Sequence, residues 1–219
     1  CLRLRLKEFG AEVIHTHCEF PDIIGAFASR GMKVRRFRTS HNEVYYQLNR
    51  AVGLMAENVM NCFGRYSRVI CISNRTEKNN GWLVGKKKTH VIYNGVFAAT
   101  PPSLTKEWDG VLNVGIVGRV SPQKGQIEFI QKLRERYSEP EQMPFHLHLY
   151  GSGTDDLAIQ ELTSGFESRI HGHGIELEQN KLYDGLDLVI IPSLFEGMSS
   201  VMLEAVGRGI GFVSFPVSG

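Results

Sequence analysis

The sequence predicts an α/β protein made of two Rossmann-like, doubly wound parallel-sheet domains, both incomplete. Three observations predict it. Short apolar runs alternate with helix-period stretches nearly throughout, the order that gives a parallel sheet wrapped by helices. An aperiodic, Pro-containing stretch, Ala98-Ala99-Thr100-Pro101-Pro102-Ser103-Leu104-Thr105-Lys106, separates two such series and reads as a linker. At about 150 residues per domain, two whole doubly wound domains need roughly 300 residues; this chain has 219.

In chain order, the helix-like Leu2-Arg3-Leu4-Arg5-Leu6-Lys7 comes first, followed by strands expected at 12–16, 33–39, 68–72 and 89–93. The longest helical pattern runs from 43 to about 63. Asn94-Gly95 favours a positive-φ turn and directs the chain into the linker. Strands resume at 112–117, 145–150, 168–171, 186–191 and 210–215. The domains are therefore placed at 1–97 and 111–219, joined by 98–110. A chain that starts within a helix and stops after a strand reads as a fragment.

With 42% hydrophobic and 22% charged residues and a net charge of +2, the composition is that of an ordinary globular protein. It gives no reason to expect nucleic acid as a partner. No apolar run reaches the roughly 18 residues of a membrane span. Cys1, Cys18, Cys62 and Cys71 are scattered without metal-like pairing, which fits a reducing, cytoplasmic setting. Two basic clusters, Lys86-Lys87-Lys88 and Arg35-Arg36 with Arg38, are of the kind usually solvated; they leave open a peripheral contact with anionic lipid at the inner face of a membrane.

Glu196 and Glu204 are the most informative pair. An apolar strand runs into Pro192-Ser193, a carboxylate follows, and then a helix begins. Eight positions is just over two helical turns, so Glu204 is expected roughly in line behind Glu196. In an open α/β sheet, ligands bind beyond the carboxyl ends of the strands. Amides at a helix start attract anions while carboxylates repel them. That combination suits a ligand with a phosphate and flanking hydroxyls, such as a nucleotide-sugar; the competing reading is a solvated acid before an ordinary amphipathic helix.

A second constellation is Gly118-Arg119-Val120-Ser121-Pro122-Gln123-Lys124-Gly125, which follows a strand. Gly118 permits close approach of a ligand. Arg119 can fork onto a diphosphate and Lys124 can add a point charge. Two surface cations at a helix start would look the same. Tyr150-Gly151-Ser152-Gly153-Thr154-Asp155-Asp156 lacks the third glycine of a dinucleotide fingerprint and carries acids that repel pyrophosphate. It reads as a tight turn with an acidic helix cap.

Six histidines form His-x-His pairs: His15/His17, His146/His148 and His171/His173. On a strand each pair shares a face, but nothing supplies further ligands at a recognisable spacing, so no metal is expected. His17 and His41 end strands of the first series, where an imidazole can hydrogen-bond a sugar hydroxyl or simply belong to the surface.

Taken in order, these segments resemble the large retaining glycosyltransferase family known as group 1, or family four, which has the GT-B fold. Val13-Ile14-His15-Thr16-His17 and Thr39-Ser40-His41 resemble first-domain motifs. Val69-Ile70-Cys71-Ile72-Ser73 and Val91-Ile92-Tyr93-Asn94-Gly95-Val96 resemble a strand ending in Ser and the Asn-Gly crossing. Gly118-Arg119 through Lys124-Gly125 resembles the phosphate site, and Pro192-Ser193-Leu194-Phe195-Glu196-Gly197 through Glu204-Ala205 the Glu-seven-Glu motif.

The resemblance implies a metal-independent, cofactor-free hexosyltransferase, with a UDP- or GDP-sugar as donor and a glycan or lipid-linked acceptor in cell-surface glycan synthesis. By that likeness Gly118, Arg119, Lys124 and amides near Ser199 and Ser200 hold the diphosphate. Glu204 takes ribose hydroxyls, Glu196 contacts the transferred sugar and His41 reaches it from the first domain. A nucleotide-sugar epimerase of the same fold and a non-catalytic partner subunit are the competing readings. The family's first strand and its glycine-rich loop would precede Cys1, so this chain alone is expected to have little or no activity. Gly207 stands where alanine is more usual.

Overall fold

The computed structural model describes residues 1–41, 50–84, 88–96 and 110–216. The chain divides into two compact units. Among the described residues, the first comprises Cys1–Asn94 with the short segment Glu196–Met198, and the second comprises Gly95–Phe195 with residues 199–216.

The first unit is a parallel sheet in the order β1 (Val13–His17), β2 (Arg35–Ser40), β3 (Arg68–Cys71) and β4 (Thr89–Val91). Its helices are α1 (Leu2–Glu8), α2 (Glu19–Ala28), α3 (Arg50–Phe63) and α4 (Asn74–Val84). The apolar core among described residues is small: Tyr66, Val69 and Cys71. Beside it runs a buried polar network. Arg38 Nε lies 2.8 Å from Asp22 Oδ2, with the side chains 1% and 0% exposed. Arg38 Nη1 donates to Asn61 Oδ1 (2.7 Å), Asn61 Nδ2 to Asn80 Oδ1 (2.9 Å), and Asn80 Nδ2 to Ser40 Oγ (3.2 Å). The network thus ties α2, α3 and α4 to the carboxyl end of β2. Burial, and then the nearby Asp22 carboxylate, push the Tyr66 phenol up to about 12.

This corrects the reading of Arg35-Arg36 with Arg38 as a solvated basic cluster. Only Arg35 is exposed. Arg36 donates to the hydroxyl and the carbonyl of Ser29, both at 2.7 Å, and Arg38 is internal. The reason is the strand period: β2 alternates faces, so Arg36 and Arg38 share the face that meets α2 and α3, where Asp22 and Ser29 await them.

The second unit is a five-stranded parallel sheet in the order β7-β6-β5-β8-β9. The strands are β5 (Leu112–Val117), β6 (Phe145–Tyr150), β7 (Ile170–Gly172), β8 (Leu188–Ile191) and β9 (Gly211–Ser214). Helices α5 (Gln126–Arg136), α6 (Leu157–Leu162), α7 (Gln179–Tyr183) and α8 (Ser200–Gly207) complete it. Two apolar cores flank the sheet. Val114, Ile116, Leu147 and Leu149 pack with Ile130 of α5 and Ile159 of α6. Val189 and Ile191 pack with Leu182 and Tyr183 of α7 and Val201 and Ala205 of α8. The chain builds outward from β5 through β6 to β7, then returns to build β8 and β9 on the other side. The gap between the carboxyl ends of β5 and β8 is therefore the switch point, where open α/β sheets bind ligands.

All nine expected strands are present, each end within two residues of its expected place. The helix expected from 43 is helical from Arg50 to Phe63, and its opening, 43–49, lies outside the described residues. So do Lys86, Lys87 and the linker as far as residue 109.

Candidate functional site

The Arg119 and Glu196 motifs emerge from β5 and β8, the strands that flank the switch point. Gly118 has φ +143°, a conformation side chains rarely adopt, and its amide donates to Tyr150 O (2.8 Å). Lys124 folds back beside it: a Cβ on Gly118 would lie 3.6 Å from Lys124 Cε. Buried Gln126 braces the loop by donating from Nε2 to the carbonyls of Gly118 (3.0 Å) and Arg119 (2.9 Å). Gly125, at φ +68°, heads α5 so close to Pro192 that a Cβ would come 2.3 Å from its carbonyl oxygen. Leu194 N donates to Gln123 O (2.8 Å) and Gln123 Nε2 to Phe195 O (3.1 Å). The two motif loops are thus stitched together by backbone contact, and Lys124, Ser193 and Ser199 line one small recess.

Arg119 stands exposed on its loop, and its guanidinium makes no hydrogen bond among the described residues. Ser199 is the N-cap of α8, its hydroxyl accepting from Met202 N (3.4 Å). The amides of Ser200 and Val201 head the helix with no hydrogen bond among the described residues, an arrangement that favours an anion.

Because Ser199 caps the helix, α8 starts at Ser200. Glu196, 8% exposed, sits in the loop after β8 rather than on the helix. The expected alignment of Glu196 and Glu204 along two helical turns therefore fails; only Glu204 is helical.

Glu204 has partners that the sequence reading missed. The Tyr183 hydroxyl donates to Glu204 Oε2 at 2.8 Å. The Arg208 guanidinium lies 4.7 Å from the centre of the Tyr183 ring, and its Nη1 donates to Glu204 O at 3.3 Å. Burial first, and then the Glu204 carboxylate, push the Tyr183 phenol well above its ordinary range, so it stays a donor.

His41 and Glu196 fall in the first unit, while the phosphate-loop residues and Glu204 fall in the second. Within the first unit, β1 and β2 bring His17 Nδ1 and His41 Nε2 to 2.9 Å, so one proton is shared between them. His15 Nε2 lies 2.8 Å from Thr39 Oγ1. The other His-x-His pairs meet across β6 and β7: His146 Nδ1 lies 3.3 Å from His171 Nε2, and His148 Nδ1 lies 2.9 Å from His173 Nε2. Among the described residues, no group of three or more His, Cys, Asp or Glu is placed to hold a metal. No helix among them is long and apolar enough to cross a membrane.

Gly151, at φ +125°, exists for close packing: a Cβ would come 2.5 Å from Gly118 O. The turn reading of that segment stands, with one correction. Asp156 occupies the N-cap of α6, but its carboxylate makes no capping bond.

Residues 1–99 match Glycosyltransferase Family 4, and residues 112–219 match Glycosyl transferases group 1. No curated protein sequence matches the chain. Among solved structures, the chain resembles Anabaena Alr3699/HepE in complex with UDP and glucose at 22% identity and a TM-score of 0.74, over 100% of this chain and 63% of that one. It resembles sucrose-phosphate synthase from Thermosynechococcus elongatus at 21% identity and a TM-score of 0.79, over 100% and 59%. It resembles the lipopolysaccharide outer core galactosyltransferase WaaB at 19% identity and a TM-score of 0.65, over 100% and 60%. The chain thus spans about three fifths of the length of these structures. With both halves matched in order, and with two parallel-sheet units like those of these neighbours, the chain belongs to the group 1, family 4 glycosyltransferases of GT-B fold.

Proposed function

We propose that this chain carries the nucleotide-sugar site of a retaining, metal-independent glycosyltransferase. The enzyme moves a hexose from a UDP- or GDP-sugar to a glycan or lipid-linked acceptor. The observation that carries the reading is the stitched pair of loops at the switch point of the second sheet, where Lys124 and Ser199, the N-cap of α8, line one recess and Arg119 stands exposed on the β5 loop. Negative charge builds on the departing diphosphate during transfer. Fixed cations there lower the barrier, a role that requires no metal. Uridine is favoured over guanosine because Anabaena HepE has been solved with UDP and with UDP-glucose. Glu204 then faces the ribose, and Glu196 and His41 serve the sugar.

The test is transfer by the full-length protein from a panel of nucleotide-sugars, in the presence of EDTA, with the product anomer read by NMR. Acceptor-dependent release of the nucleoside diphosphate with retained configuration is the expected result. Product formed without acceptor would point to an epimerase, inversion would exclude the retaining mechanism, and loss of transfer in EDTA would exclude metal independence.

A further inference from the structure

Glu204 is half-buried and negatively charged, on a helix whose start is assigned to phosphate. Such a carboxylate can serve ribose only if something holds it away from the anion end. We propose that Tyr183, backed by Arg208, is a positioning residue that fixes the Glu204 carboxylate for ribose, and so sets the preference of the site for a ribonucleotide. The inference rests on the nucleotide-sugar reading above and extends it to residues outside the matched motifs.

Three observations carry it. The Tyr183 hydroxyl binds one carboxylate oxygen, Oε2, at 2.8 Å. An ionised carboxylate has about four acceptor positions, so this bond leaves Oε1 and part of Oε2 to accept two vicinal hydroxyls. Tyr183 is itself held: its side chain is 1% exposed within the core formed by α7, α8 and β8. Arg208 closes the arrangement. It is 6% exposed, covers the Tyr183 ring, donates to the backbone carbonyl of Glu204, and donates through Nη2 to Gln179 Oε1 at 3.3 Å. The carboxylate is thereby clamped between two short helices that are 21 residues apart in sequence at the contact. A planar guanidinium stacked on a ring is a stiffer support than a flexible ammonium.

The experiment compares binding of a nucleoside diphosphate (UDP or GDP, whichever the wild-type chain binds more tightly) with binding of its 2′,3′-dideoxy form, by titration calorimetry. The wild type is expected to prefer the ribonucleotide by about tenfold or more, the size of a lost hydrogen bond to a charged group. Tyr183→Phe keeps the ring and removes only the hydroxyl. It is expected to cut that preference to within about threefold while binding of the dideoxy form stays near wild type. In a Glu204→Gln background, Tyr183→Phe should then change the preference no further, since the two act through one contact. Arg208→Lys keeps the charge and loses the stacked plane; it should move the preference in the same direction, and it provides the test should Tyr183→Phe not fold. A preference unchanged in the folded variants, or one that falls only because both ligands weaken equally, overturns the assignment. Failure of the wild-type chain to bind either nucleotide overturns the underlying donor-site reading instead.

Discussion

The two units reach the same layered architecture by opposite means. In the second, two apolar clusters of nine and eight buried residues flank the central sheet. In the first, the apolar cluster among described residues has three members, and much of the interior is the chain Asp22–Arg38–Asn61–Asn80–Ser40. An apolar core tolerates change in proportion to the volume removed. A buried ion pair does not, because removing one partner strands the other charge.

The largest expected effect tests this contrast directly. Arg38→Met leaves Asp22 buried without its cation and should destabilise the first unit by about 3–5 kcal/mol, read by urea unfolding of the whole chain with a probe in each unit. Replacing both partners, Asp22→Leu with Arg38→Met, should recover much of the loss. If the single and double variants unfold alike, the network is not what holds that unit. Next in size is Leu147→Ala, in the centre of the second unit's core, expected to cost about 3 kcal/mol in that unit alone. Loss in both units together would show that they unfold as one.

Acidification should separate the units more gently. Burial and neighbouring histidines hold His171 below the ordinary histidine value, and burial does the same for His173; in the first unit the described case is His15. A base with a lowered folded pKa binds more protons when unfolded, so the stability it contributes is intact above about pH 6.5 and declines as pH falls below that value. The second unit, with two such groups hydrogen-bonded across β6 and β7, should lose more between pH 7 and 5. Equal loss would remove the imidazole pairs as the cause. The smallest effect is a gain. Gly207 lies in the last turn of α8, and a Cβ there would meet Val96 Cγ2 at 3.4 Å, within ordinary contact. Gly207→Ala should therefore raise the stability of the second unit by about 0.5–1 kcal/mol, measured by thermal melting.

The same contrast explains what could be read in the sequence. In β2 Phe37 is the one apolar residue, whereas in strands such as β5 and β8 the burial of Val, Ile and Leu leaves a compositional trace. Arg38 left none: a cation in a strand looks solvated until Asp22, sixteen positions earlier, is placed opposite it. Glu196 and Glu204 were legible as a pair but not as a geometry. The helix start was visible in Ser199-Ser200 ahead of an apolar run, a cap signal that outweighs the arithmetic of turns. Tyr183 was illegible as a partner of Glu204, since a contact across 21 residues has no local pattern. Gln126, which braces the Gly118 loop, reads in sequence as one more polar helix residue.

The central claim is that Arg119 and Lys124, with the start of α8, form one nucleoside-diphosphate site. Calorimetric titration of UDP into the chain and into its Arg119→Ala and Lys124→Ala variants tests it most directly. Each variant should stay folded and bind at least about tenfold more weakly, as expected for loss of one charge-assisted contact. UDP binding to both folded variants with wild-type affinity would contradict the account.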